Sequence, residues 1–507
     1  MKTISKLLMV LFFSVSLFSC SEEFFETENN GVATADEIEE MSKSSPEAIL
    51  KVVQPLQVGI YSYMIQYNTQ GSSSTVHGDF GWMSICHLSD VMSDDLAFHA
   101  RGSGWFTYDY ELDYWGQQYV RPFWYWNFFY TLIAKANDII SKIALDTDNP
   151  ELKAILGQSF AIRAVSHFYV AQMYQQTYIG NENAPGVPII LTPSEGDGST
   201  KRGILKDVYD QIRKDFESSI TYLDNWQRPN KVYINKNVAA GLFSRVCLVT
   251  NEWDDAIKYA KMAREGYSPF TVEELLADGF NNINSKEWIW GGDITGETTT
   301  MFASFFSFVC SYDAGYGGQV GQYRKIDKKL FDSMSSTDVR RKQFKLASSG
   351  VVYTDYEKAL PDYTNLKFKK VDNWLADYVY MRVSEMILTE AEALARSGRE
   401  SEAASVLSTL MQNRDPNWNV NSITAEEIYQ QRRVELWGEG FALFDHQRLK
   451  KGIDRAYSGS NHLSSAQYKI PAGSWYFLYQ IPLRELDNSA DINEEDQNPV
   501  PTGGKYQ

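Results

Sequence analysis

Along much of this chain apolar residues return every three or four positions, the spacing of one face of a helix. Trp126, Tyr130, Ile133 and Asn137 stand at i, i+4, i+7 and i+11. Asn149-Pro150 ends that helix, and a second begins near Glu151. Its Ala161, Ala164, Phe168 and Ala171 include small residues that let a neighbouring helix approach closely. Residues 208–223 and 235–250 predict a further pair, extended by 254–266. Residues 380–396 and 400–414 predict another, turning at Ser397-Gly398, with Val379, Val383, Ile387, Ala391 and Leu394 as the apolar stripe. Residues 424–450 predict a last long helical segment.

Two stretches lack the period. Residues 70–118 hold Gly71-Ser72-Ser73-Ser74, Gly78, Gly81 and Gly102-Ser103-Gly104, which is loop chemistry. Residues 270–375 are rich in Gly, Tyr and Asp and read as an inserted, loop-rich lobe. The expected fold is therefore mainly α: helical pairs of tetratricopeptide type form a scaffold carrying an irregular lobe, with spacing too uneven for a clean repeat of roughly 34 residues.

The amino terminus carries a different pattern. Lys2 and Lys6 precede an apolar and small-residue run from Leu7 to Phe18, which ends Leu17-Phe18-Ser19-Cys20. A basic start and a short apolar core form an export signal, too short to span a bilayer. A cysteine directly after the break marks a bacterial lipoprotein, so residues 1–19 read as the signal peptide and Cys20 as the lipidated residue. Ser21-Glu22-Glu23 opens an acidic tether over residues 20–45. Two or three acyl chains make a stable anchor.

Charge and cysteine content narrow the function. The 507 residues carry a net charge of −17, and the leader takes two lysines with it, leaving −19 on the mature side chains. An acidic body argues against a nucleic-acid partner. Beyond Cys20 stand Cys86, Cys247 and Cys310, with no CxxC or Cys/His spacing, which points away from a disulfide scaffold and a structural zinc site. No HExxH, GxSxG or P-loop is present. Gly315, Gly317 and Gly321 lack the strand-turn-helix context of a dinucleotide site. Asp90, Asp94 and Asp95 read as a solvated acidic loop without EF-hand spacing, and His77, His87 and His99 make a weak metal set. No catalytic residue, metal or cofactor is predicted. Aromatic residues make up 14% of the chain and are concentrated: between Trp105 and Tyr130, 14 of 26 residues are Phe, Trp or Tyr. A second patch runs from Phe302 to Tyr323.

Several blocks resemble the SusD/RagB family of outer-membrane nutrient-binding lipoproteins. Trp126-x3-Tyr130-x2-Ile133-x2-Ala136-Asn137 resembles its first helical signature, Gly157 through Tyr174 with Arg163-Ala164 its second helix, and Gly186-Val187-Pro188 the loop after it. Ala239 to Leu248, Trp253 and Ala256 resemble the next pair. Arg382-x2-Glu385-x5-Ala391-Glu392-Ala393, then Arg432-Arg433-x-Glu435-Leu436-x2-Glu439-Gly440-x4-Asp445-x2-Arg448 and Ile481-Pro482, resemble the C-terminal signatures. Gln431, Ala442 and Leu443 depart from the family pattern.

The resemblance implies an N-terminal helical region over residues 46–269 with ligand loops at 70–118, the lobe at 270–375, and a C-terminal helical region over 376–507. It also implies a lid-like partnership with a TonB-dependent outer-membrane barrel that imports what the lipoprotein captures at the cell exterior. The expected ligand is a glycan. An aromatic face attracts the weakly positive C–H patches of a pyranose, at little cost in side-chain freedom. Trp82, Trp105, Tyr108, Trp115, Tyr312 and Tyr316 are the candidate ligand-binding residues. A peptide-binding member, a lipid-anchored glycoside hydrolase and a protein-binding scaffold are the alternatives. The signature charges Arg382 with Glu385, and Glu435 with Arg448, are expected to pair within or between helices in structural roles.

Overall fold

The computed structural model describes residues 45–70, 76–102, 105–197, 200–312, 315–369, 372–503 and 505. It divides into two units, residues 1–52 and 53–507. Of the first, only the opening turns of helix α1 (Pro46–Ile65) are described. The leader, Cys20 and the tether up to residue 44 lie outside the described residues. Among the described residues no helix is long and apolar enough to cross a membrane.

The second unit is mainly helical, as the periodicity predicts. Helix α2 (Trp82–Val91) is followed by α3 (Val120–Lys142) and α4 (Pro150–Tyr174). Asn149 starts α4 by accepting from the Glu151 and Leu152 amides, and Pro150 sits where no amide is needed. Then come α5 (Leu205–Tyr222), α6 (Lys236–Thr250) and α7 (Trp253–Arg264). One buried arginine binds three of these helices: Arg163 on α4 reaches Asp215 on α5 through both Nε (2.8 Å) and Nη2 (2.7 Å), and Asn137 on α3 through Nη1 (2.9 Å). Helix α8 (Phe305–Val309) belongs to the irregular lobe. The C-terminal helices are α9 (Val383–Arg396), α10 (Glu400–Met411), α11 (Ala425–Glu435) and α12 (Ala442–Arg448).

The strands are short and pair antiparallel. β1 (Leu96–Phe98) pairs with β5 (Arg324–Ile326), β2 (Pro185–Pro188) with β3 (Arg202–Ile204), β4 (Trp288–Gly292) with β6 (Tyr378–Arg382), and β7 (Ile453–Asp454) with β8 (Lys469–Ile470). Residues 293–377 thus leave through β4 and return beside it through β6, which runs directly into α9. The predicted helix over 380–396 therefore begins only at Val383.

Two further sequence expectations are corrected. The segment at 424–450 is not one helix: α11 stops at Glu435, and Gly438 (φ 80°) and Gly440 (φ 92°) take left-handed backbone before α12. The loop stretch at 70–118 contains α2, all ten of whose residues are buried. Trp82 opens that helix at 1% exposure and meets Phe129, Tyr169 and Trp290 edge-on at 5.2–5.7 Å between ring centres.

A charged network lies beneath the C-terminal signatures. Arg382 donates to Glu439 (Nε, 2.7 Å) and Glu435 (Nη1, 2.8 Å), Arg414 to Glu435 (3.0 Å), and Lys367 to Glu439 (2.6 Å), all buried. Burial disfavours the Glu435 carboxylate, yet Arg414 and Arg382 hold it well below the usual range. The expected partners are exchanged. Arg382 ends β6 in extended backbone (φ −141°, ψ 162°), off the face of α9 that carries Glu385. Glu385 instead pairs with Arg245 (2.7 Å), and Arg448 with Glu392 (2.6 Å) and Asp445 (2.7 Å).

Candidate functional site

The β1–β5 ladder determines where the loops meet. Leu96 faces Ile326 and Phe98 faces Arg324, and the His99 amide continues the pairing to Tyr323 O (3.0 Å). This register carries the segment after β1 onto the segment before β5. The approach is close at Gly102, where an added Cβ would stand 2.0 Å from Gln322 Cδ.

Trp105 and Tyr316 come together there. Trp105 Nε1 donates to Tyr316 Oη at 2.8 Å. An indole N–H can only donate, so Tyr316 Oη accepts from Trp105, and it is also hydrogen-bonded to His77 Nδ1, 2.5 Å away. Burial lowers the His77 pKa and so favours the neutral ring. Burial raises that of Tyr316. The His77 ring lies 4.9 Å from Trp105 and stacks on Phe302 at 5.7 Å, and Tyr316 stacks on buried Phe308 at 4.9 Å. Trp105, Tyr316 and His77 are each partly exposed. Behind them, Arg121 fixes the loop: its Nη2 donates to Trp105 O (2.6 Å) and Asp109 Oδ2 (2.9 Å), and its guanidinium lies over Phe106 and Trp124. The result is a rigid aromatic platform with polar edges, suited to stacking a flat, hydroxyl-rich ligand.

The other four candidates separate from that pair. Tyr108 is 39% exposed and begins a stack: its ring lies 4.8 Å from Tyr114, which lies 4.9 Å from Tyr119. Arg101, held bidentate by Glu111 at 2.9 Å, lies 5.9 Å from the Tyr108 ring centre. Trp115 packs edge-on against Tyr476, and its carbonyl accepts from the Gln480 amide (2.9 Å), so it is tied to the C-terminal segment. Tyr312 donates to Glu357 (2.8 Å) and packs on the Tyr353–Leu360–Leu366 cluster within the lobe. Trp82 is core and offers a ligand no face. His77 and Phe302 join the platform, and sequence reasoning missed both. His77 stands out in sequence only as a weak metal candidate, and Phe302 only as the start of an aromatic patch.

The acidic residues are not a solvated loop. Asp90 accepts from the Gly440 and Ala442 amides, Asp95 binds Arg433, and Asp94 binds His446 (2.9 Å) and Arg433 (3.1 Å). Against its burial, His446 and Arg433 hold Asp94 well below the usual carboxylate range. These carboxylates join α2 and β1 to the C-terminal signature. Among the described residues no group of three or more His, Cys, Asp or Glu is placed to hold a metal ion.

Comparison with known proteins places this geometry. Solved structures share the fold at low identity. A SusD-like carbohydrate binding protein from Bacteroides vulgatus is 22% identical with a TM-score of 0.75, over 89% of this chain and 98% of that one. A laminarin binding SusD-like protein is 17% identical with a TM-score of 0.66, over 89% and 99%. Surface glycan-binding protein A from Bacteroides uniformis is 16% identical with a TM-score of 0.65, over 88% and 99%. No curated protein matches the sequence. A family model described as "Starch-binding associating with outer membrane" matches residues 37–248, and one described as "SusD family" matches residues 249–500. With both halves matched in sequence and the fold matched over most of its length, the chain belongs to the SusD/RagB family.

Proposed function

We propose that this protein is a cell-surface lipoprotein that captures oligosaccharide or polysaccharide and passes it to a TonB-dependent outer-membrane transporter. Capture is non-catalytic. The observation that carries the reading is the Trp105–Tyr316–His77 array: partly exposed aromatic rings locked in place by hydrogen bonds and packed on a buried base. A pyranose stacks on such rings through its C–H face. The glycan and laminarin binding named for two structural neighbours supports the ligand class. Cys20, with acyl chains, supplies the anchor, and the tether lets the body reach a barrel in the same membrane. Weak contacts at single sites suffice for retention when ligand is shared with the transporter.

Native affinity gels against a polysaccharide panel test the reading, with reducing-end release assayed in the same samples. Retardation by a glycan without release supports capture. Release of sugar favours a glycoside hydrolase, and binding of peptides alone favours the peptide branch of the family. Co-purification of a TonB-dependent barrel with the lipidated chain tests the partner, and labelling of intact cells tests surface display.

A further inference from the structure

A pocket of about 280 Å³ opens between the second half of α1, the turn at 230–233 and the segment that follows β4. It shares no residue with the Trp105–Tyr316 platform. Tyr61, Tyr233 and Tyr380 provide aromatic wall, with Tyr61 and Tyr233 edge-to-face at 5.1 Å. Gly292 lets Tyr380 and Ile65 pack closely against the backbone, since a Cβ there would stand 2.6 Å from Tyr380 Oη and 2.7 Å from Ile65 Cγ2.

Tyr380 is 5% exposed, its ring is held at 5.0 Å by Trp290, and its hydroxyl has no partner among the described residues. A buried hydroxyl without a partner is costly to keep. Polar groups at the rim are also uncommitted. Asn230 Oδ1 accepts from the Val232 amide (3.0 Å), which fixes the side chain, and its NH₂ has no partner among the described residues. Asp293 and Glu297 line the pocket with neither an ion pair nor a side-chain hydrogen bond among the described residues, and no described Lys or Arg lines it. The wall thus offers aromatic faces, carboxylate acceptors and an amide donor.

We infer that this pocket is a second carbohydrate site, taking one neutral pyranose unit. A pyranose needs acceptors for its hydroxyl hydrogens, donors for its oxygens and a flat apolar surface for its C–H face, and the pocket presents all three. Its volume lies just below the range of about 300–1,000 Å³ for drug-sized ligands, which suits a single ring. The inference extends the reading of the chain as a glycan-binding protein, and the experiment separates the two.

Saturation-transfer NMR on the full chain uses the methyl glycosides of glucose, galactose, mannose and xylose as probes, with lysine methyl ester as the cationic control. Transfer to at least one glycoside is expected in the wild type and in Trp105→Ala. Ser62 is exposed at the mouth, and Ser62→Trp, which fills it, should cut binding in the Trp105→Ala background by roughly tenfold without moving the unfolding temperature. Glycoside binding that survives Ser62→Trp in the Trp105→Ala background, its absence from Trp105→Ala alone, or binding of the lysine ester in its place would overturn the assignment. If Trp105→Ala loses polysaccharide on native gels while adding Ser62→Trp leaves the glycoside signal untouched, capture at the platform stands and this site falls. If glycoside binding is lost in Ser62→Trp while polysaccharide retention is indifferent to Trp105, this site stands and capture at the platform falls.

Discussion

Trp105 Nε1 and Tyr316 Oη are hydrogen-bonded at 2.8 Å although 211 residues separate them in sequence. The bond makes one surface of two loops, and its polarity is fixed because indole can only donate. Tyr316→Phe keeps the ring and removes both the acceptor for Trp105 and the hydrogen-bond partner of His77. We expect glycan affinity to fall about fivefold, the equivalent of about 1 kcal/mol for one neutral hydrogen bond. Isothermal titration with the glycan retained on gels checks this. Unchanged affinity would show that these hydrogen bonds do not hold the platform.

The scaffold depends on buried charges that share partners. Glu435 accepts from Arg382, Arg414 and Arg340, at 2.8–3.2 Å. Glu435→Gln removes the negative charge and leaves the guanidiniums undercompensated in the interior. The expected loss is about 3–5 kcal/mol of unfolding free energy, read from urea denaturation. A loss below about 1 kcal/mol would mean that Glu287 and Glu439 take over the pairing.

A glycine beside that network has a separate role. Gly440 has φ +92°, and a Cβ there would stand 2.4 Å from Cys86 Cβ. Gly440→Ala combines a left-handed backbone with a clash against α2, so about 2–3 kcal/mol of destabilisation is expected. Thermal unfolding reads the shift, and a wild-type unfolding temperature would refute the close approach.

His167 sets a pH dependence. Its Nδ1 donates to Arg163 O (3.0 Å) and its Nε2 accepts from the Ile190 amide (3.3 Å), so the imidazole is neutral. Burial, with Arg163 adding to it, lowers its pKa from 6.5 to about 3. Between those values the unfolded chain binds the proton and the folded chain does not. Its contribution to stability is therefore complete above pH 6.5 and is lost as pH falls toward about 3. At pH 5 the loss from this group is about 2 kcal/mol relative to pH 7. Urea midpoints for wild type and His167→Gln at both pH values check the sign: the variant should show the flatter dependence.

Much of the scaffold was legible because amphipathic helices carry their period openly. The Ala161-Ala164-Phe168 face and Val383, Ile387, Ala391 and Leu394 lie on helices as read, whereas Val379 of the same stripe stands in strand β6. Helix α2 was not legible, since it is buried all round and its Ser84, His87, Ser89 and Asp90 break any apolar face. Asp90 belongs inside only because the amides of Gly440 and Ala442 meet it there, which no local pattern records. The break after Glu435 was signalled by Gly438 and Gly440, but the flanking apolar residues masked it. For the platform, sequence supplied Trp105 and Tyr316 as separate candidates. Their pairing depends on the β1–β5 register, a long-range relation that spacing does not encode. Trp82 was indistinguishable from them in sequence, because an aromatic suited to stacking on a sugar is equally suited to a core.

The most direct test of the account is retention of a polysaccharide panel on native affinity gels by wild-type protein and by Trp105→Ala, with thermal unfolding measured on both. The account predicts that one glycan retards the wild type without release of reducing ends, and that the variant migrates as it does without ligand while unfolding at a similar temperature. Equal retardation of a folded Trp105→Ala variant would contradict it.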